Sequence, residues 1–134
     1  MQSEKRKIQN NNPKPKTDLK KRAYLYALAI IKFIGQLDQK DFIVQTLAKQ
    51  LLRAATSIGA NIIEAQAGST KKDFTNFFVY ALKSANETKF WLGLLRDSGK
   101  VQKDLANRML QEVTELANIL AASILTLKGK NKVD

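Results

Sequence analysis

The sequence predicts an all-α protein: an antiparallel up-down-up-down four-helix bundle preceded by a disordered, basic N-terminal arm. Three observations carry that expectation. Helix-favouring Ala, Leu, Ile, Lys and Gln dominate, while the 134 residues contain only 6 Gly and 2 Pro, the latter at Pro13 and Pro15. Apolar residues recur at spacings of three and four through four successive stretches. Capping residues and glycines separate those stretches at short intervals, and no alternating strand pattern competes. A hydrophobic content of 44% over this length gives one domain a sizeable core.

Residues 1–17 are polar, with Asn10, Asn11, Asn12, Pro13 and Pro15 in close succession, which suits neither a helix nor a packed strand. Thr17 or Asp18 can cap helix one, whose stripe is Leu19, Ala23, Tyr26, Ile30, Phe33 and Leu37. Gly35 and Asp38 weaken its end. Asp41 can cap helix two, with Val44, Leu47, Leu51, Ala54, Ile58 and Ile62 inward and Gly68 as its stop. Thr70 followed by Asp73 resembles a capping box for helix three, so a tight turn joins the two. Helix three places Phe74, Phe78, Ala81, Ala85, Thr88, Leu92 and Leu95 at alternating spacings of four and three, a coiled-coil rhythm. Asp97, Ser98 and Gly99 end it with glycine in the left-handed position. Helix four follows with Val101, Leu105, Met109, Val113, Leu116, Leu120, Ile124 and Leu127, and Gly129 is expected to stop it. The bundle is therefore expected over 18–128, followed by a basic tail over 129–134. Gly59 and Gly93, inside helices two and three, are read as points of close helix approach or as kinks.

Helix three is apolar around more than one face, and a surface helix needs only one stripe. Its second face, with Phe77, Tyr80, Phe90, Trp91 and Leu94, is expected to be covered by another copy in a homo-oligomer. Polar residues also interrupt helices two and three: Arg53, Asn61 and Glu64 on one, Ser84 and Glu87 on the other. They form a candidate interhelical polar network. Counting residues outward from the Gly68 turn brings Glu87 level with Arg53, which predicts an ion pair between them.

The chain has no histidine and no cysteine. That excludes disulfides, thiol nucleophiles, a His general base and the usual zinc, haem and iron–sulfur ligand sets. The glycines are dispersed, so no glycine-rich phosphate loop exists, and Ser57 and Ser84 have no histidine to activate them. The expectation is a protein with no enzymatic activity, no cofactor and no metal. Apolar runs such as 90–95 fall far short of the ~20 residues of a membrane span, and residues 1–17 contain no apolar signal segment, which predicts a cytoplasmic protein without membrane contact.

The formal net charge is +11, unevenly distributed. Lys5, Arg6, Lys7, Lys14, Lys16, Lys20, Lys21 and Arg22 face only Glu4 and Asp18 in the first 22 residues. Lys71 and Lys72 cluster at the start of helix three, and Lys100, Lys103 and Arg108 at the start of helix four. These thirteen cations are the candidate phosphate contacts. Their field suits phosphate polyanions or anionic surfaces, and for the arm it also suits simple solvation. No base-reading motif accompanies them, so nucleic-acid binding would be backbone-dominated and salt-dependent.

The segment from Gln50 to Glu64, with Arg53-Ala54-Ala55, Ser57-Ile58, Asn61-Ile62 and Glu64, is followed by Lys71-Lys72-Asp73-Phe74 and by Ser84 and Glu87. In that order and spacing it resembles the four-helix bundle proteins encoded in intervening sequences of bacterial 23S ribosomal RNA, over about residues 18–127. The resemblance implies an antiparallel bundle assembled as a ring-like homopentamer, with nucleic-acid association and no established enzymatic activity. A related branch comprises accessory proteins of diversity-generating retroelements, which bind a reverse transcriptase and nucleic acid. The sequence departs from the family pattern at Leu52, where a second arginine is common, at Gly59, where proline is, and at Ala65, where glycine is. The expected function is a non-enzymatic homo-oligomer binding RNA or a ribonucleoprotein through basic surface and arm. The alternative is a protein-interaction scaffold, such as the accessory subunit of such a reverse transcriptase.

Overall fold

The computed structural model describes residues 18–68 and 70–132, which fold as four helices: α1 (Asp18–Gly35), α2 (Phe42–Ala67), α3 (Lys71–Asp97) and α4 (Lys103–Lys132). The expected arm over 1–17, with Lys5, Arg6, Lys7, Lys14 and Lys16, lies outside the described residues. The helices form an antiparallel bundle in which each packs on its chain neighbours and α1 closes against α4. The pairs α1/α3 and α2/α4 stand diagonally across the shared core. The α2/α3 seam is the most extensive and α1/α4 the lightest.

Local chemistry fixes the helix ends. The Asp41 carboxylate accepts from the Ile43 and Val44 amides at 2.9 and 3.1 Å, capping α2. Thr70 caps α3 by accepting from the Asp73 amide at 3.0 Å. Gly68 ends α2 in an ordinary extended conformation, so its value is room: an added Cβ would sit 3.2 Å from the Asp73 Cβ and 3.3 Å from the Ala65 carbonyl. Gly99 has φ +75°, the left-handed conformation that lets α3 turn into α4.

The core follows the periodic stripes. Ile30, Leu51, Ile58, Ile62, Leu92, Leu95, Leu116 and Leu120 are wholly buried, each contributing about 1.5–3 kcal/mol through removal from water. Ala55, Ala81 and Ala85 are wholly buried as well, and their small side chains suit the tight α2/α3 seam. Near the start of α4, Ala106 takes the fully buried place and Leu105 packs at its edge. Thr88 is buried, with its hydroxyl donated to the Ser84 carbonyl at 2.8 Å.

One expectation about glycine is corrected and another is narrowed. Gly129 does not stop α4, which continues through it to Lys132, so the helix extends into the stretch read as a tail. One glycine weakens a helix by only about 1 kcal/mol, and flanking Leu127, Lys128 and Lys130 favour continuation. Gly93 has nothing within 4 Å of an added Cβ and marks no close approach, whereas Gly59 sits against Ala23, 3.5 Å from its Cβ.

Candidate nucleic-acid interface and assembly faces

The up-down topology decides which cations share a region. One end of the bundle gathers the start of α1, the end of α2, the start of α3 and the end of α4. Residues 1–17 lead into this end. Lys71 and Lys72 lie in the first turn of α3, where the helix dipole disfavours cations. Lys71, Lys72, Thr75 and Asn76 line an open cleft of about 380 Å³ together with Lys128 of α4, which stands level with Lys71 when residues are counted outward from the Gly99 turn and which sequence reasoning did not include. Lys20 and Lys21 stand exposed in the first turn of α1.

Three other described candidates are placed elsewhere. Lys100, Lys103 and Arg108 lie at the opposite end. Lys100 Nζ bridges to Asp41 at 2.8 Å, so that lysine, followed by the capped amides, holds the Asp41 carboxyl below its ordinary range. Beside them Arg96 pairs with Asp97 at 2.8 Å and donates to Asn107 at 3.0 Å. Arg22 is placed differently again. Its Nε and Nη2 reach the two carboxylate oxygens of Glu112 at 2.7 and 3.0 Å, and Nη2 also contacts Glu115. Its guanidinium is held further toward the charged form by the Glu112 bond first and Glu115 after desolvation. It therefore clasps α1 to α4, and its charge is taken up by two carboxylates.

The expected polar network contracts to one pair and gains two other members. Arg53 donates to Glu87 across the α2/α3 seam and to Gln50 Oε1 at 3.1 Å on its own helix. Trp91 Nε1 donates to Glu87 at 2.9 Å, and this bond, with Arg53, holds the Glu87 carboxyl below its ordinary range despite partial desolvation. Asn61, Glu64 and Ser84 are not joined to it. Asn61 donates to the Ser57 carbonyl at 2.9 Å within its own turn, Glu64 faces solvent, and Ser84 offers its carbonyl to Thr88. The physical reason is level: counted outward from the Arg53–Glu87 pair, Glu64 stands opposite Asn76, far from Glu87.

Two faces on opposite sides of the bundle carry exposed apolar side chains. On α3, Tyr80 and Phe90 are exposed, 46% and 58%, and Leu94 is exposed beside them. Phe77 and Trp91 are half-buried against the core and prop the exposed rings edge-on, with centroids 5.6 Å apart for Phe77–Tyr80 and 5.0 Å for Phe90–Trp91. On the diagonal helix α1, Tyr24, Leu25, Leu28 and Ile31 form a stripe at helical spacing, with Tyr24 63% exposed. That second face was also written in the sequence: from Ala23 to Ile34 the only charged residue is Lys32.

Among the described residues no group of three or more Asp or Glu side chains is placed to hold a metal ion, and no helix is long and apolar enough to cross a membrane. No curated protein matches the chain. Among solved structures, it is similar to a protein of unknown function from the S23 ribosomal protein family of Bacteroides thetaiotaomicron, at 35% identity and a TM-score of 0.73, covering 79% of this chain and 97% of that one. A family model described as 23S rRNA-intervening sequence protein matches residues 16–122. Four packed helices, the Arg53 to Glu87 signature and a match over most of the length agree, and the chain belongs to the 23S rRNA-intervening sequence protein family.

Proposed function

We propose that the protein is a non-catalytic, cytoplasmic homo-oligomer that binds RNA or a ribonucleoprotein through one basic end. The observation that carries this reading is the placement of cations. Lys20, Lys21, Lys71, Lys72 and Lys128 lie toward the end that residues 1–17 lead into, and none makes an ion pair with a described residue. A backbone-dominated contact of this kind weakens steeply with salt. Anisotropy of a labelled single-stranded RNA, titrated with the intact chain from low to physiological salt, tests it. Binding whose affinity does not change with salt, or no binding, refutes the reading.

The oligomer is supported by the two apolar faces. They lie on diagonal helices, so a two-fold dimer that buries one leaves the other in water, whereas contact of the α3 face of one copy with the α1 face of the next buries both, and it closes as a ring when each contact also rotates the next copy by a fixed fraction of a turn. The family resemblance implies five copies. Light scattering should give a multiple of 15.0 kDa for the parent chain. Tyr24→Lys with Leu28→Lys spoils one face, and Phe90→Lys with Leu94→Lys spoils the other. Each variant alone should be monomeric, and an equimolar mixture should form a dimer through the two faces left intact. A monomeric parent, or a mixture that stays monomeric, overturns this assembly. The same faces favour the alternative of a protein scaffold for a reverse transcriptase, which predicts a monomeric chain that assembles only with that partner.

A further inference from the structure

The cleft at the basic end is built from two helices that are distant in sequence. Lys71, Lys72, Thr75 and Asn76 come from the first turns of α3, and Lys128 from the last turns of α4. Among the described residues, three of its five lining residues are cations and none is a carboxylate. Asp73 lies in the same turn as the two lysines and Glu64 near the end of α2, but both are exposed outside the lining. Lys128 suits the dipole of its own helix, whereas Lys71 and Lys72 oppose theirs, so helix stability does not account for the cluster. Like charges around a concavity repel unless an anion sits among them. Polar donors complete the lining. The Asn76 amide can donate, while the Thr75 hydroxyl is already given to the Lys71 carbonyl at 2.9 Å and leaves its methyl to the wall. At the opposite end Lys100 is held by Asp41 and Arg96 by Asp97, while Lys103 and Arg108 make no ion pair with a described residue.

We propose that this cleft is a phosphate-binding site, gripping one phosphate group among Lys71, Lys72 and Lys128 with Asn76 as a neutral donor. Its volume of about 380 Å³ lies at the small end of ligand pockets and suits a phosphate with its attached sugar. The source assigned to that phosphate, the backbone of an RNA strand, rests on the RNA-binding reading above. The site itself does not.

The test uses the full chain and two variants, Lys71→Ala/Lys72→Ala/Lys128→Ala at the cleft and Lys100→Ala/Lys103→Ala/Arg108→Ala at the far end, each checked for parental helicity by circular dichroism. Anisotropy of a labelled single-stranded RNA is measured across salt. The cleft variant should flatten the logarithmic salt slope by about 2, three contacts at roughly 0.7 each, and lower low-salt affinity at least about tenfold. The far-end variant should match the parent. In parallel, inorganic phosphate is titrated into the parent, with amide shifts of residues 71–76 read by NMR. If the parent binds RNA and the cleft variant keeps its slope, the site is overturned while the RNA reading stands. If the parent binds no RNA but phosphate shifts those amides, the site stands and its ligand is a free phosphate compound. No RNA binding and no shift overturns both.

Discussion

Replacing Arg22 with alanine tests how α1 is fastened to the bundle. The α1/α4 contact is the lightest of the four helix contacts, and two polar side chains of α1 reach across it. Arg22 meets Glu112 through two hydrogen bonds, 2.7 and 3.0 Å, and the buried Tyr26 hydroxyl donates to the Met109 carbonyl at 2.9 Å. The Arg22 and Glu112 side chains are 22% and 34% exposed, so the pair is partly shielded from solvent. Glu115 is half exposed, and its share is largely screened. A charge-assisted hydrogen bond contributes about 1.5–3 kcal/mol when shielded and an open surface pair about 0.2–1 kcal/mol, which places this pairing near 1.5 kcal/mol. Loss of packing along the arginine stem brings the expected cost of Arg22→Ala to about 2 kcal/mol. At roughly 4 °C per kcal/mol for a domain of this size, the melting temperature should fall by about 8 °C. Thermal unfolding followed by circular dichroism at one fixed protein concentration measures it. A double-mutant cycle with Glu112→Gln should return a coupling of about 1 kcal/mol. A melting temperature within about 2 °C of the parent, or a coupling inside the additivity error of about 0.3–0.5 kcal/mol, refutes the clasp.

Two further predictions concern backbone and pH. Gly93→Ala should raise stability by about 1 kcal/mol, since an added Cβ meets nothing within 4 Å and helix propensity improves. Gly68→Ala should lower it, because its Cβ would press on Asp73 and the Ala65 carbonyl at 3.2 and 3.3 Å. Urea midpoints read both, and equal signs would contradict the space assigned to each. Folding depresses the carboxyl pKa of Asp41 and of Glu87, so their stabilisation is full above the ordinary carboxylate range and is lost as pH falls below about 4. With no histidine to titrate, urea midpoints should stay flat between about pH 5.5 and 8 and drop only in acid. A midpoint that moves between pH 6 and 8 would contradict this.

What was legible in the sequence follows how directly the chain carries register. Stripes of period near 3.5 located the helices, and Asp41, Thr70 and Gly99 marked ends because capping is read over a few residues. The Arg53–Glu87 pair could be found because a tight turn at Gly68 lets levels be counted outward on both helices. No such count reaches from α1 to α4. The Arg22 clasp joins residues 90 apart in sequence. Lys128 could have been reached by the same count about Gly99, but its place near the chain end grouped it with the basic tail. Charge alone made Arg22 look like its neighbours Lys20 and Lys21. The α1 face escaped notice for another reason: its single inward stripe accounted for the helix, and Tyr24, Leu25, Leu28 and Ile31 were left over without aromatic weight comparable to that of α3.

The division of the surface into apolar sides and a basic end gives assembly a consequence for binding. In a ring built by α3-to-α1 contact, cyclic symmetry turns every copy about one axis and points every bundle the same way along it. Each cleft at Lys71, Lys72 and Lys128 then faces the same rim, together with the start of each α1. One strand crossing that rim meets several equivalent weak sites, and linked weak sites raise overall affinity without any new contact at one of them. A single open cleft with three lysines is a weak grip, since exposed charge pairs contribute little and are screened by salt. In the proposed ring, repetition around a rim would turn it into a strong one, which would give the apolar sides and the basic end a joint use. In that assembly the side faces would set the number and spacing of clefts, and the cleft the chemistry that each repeats.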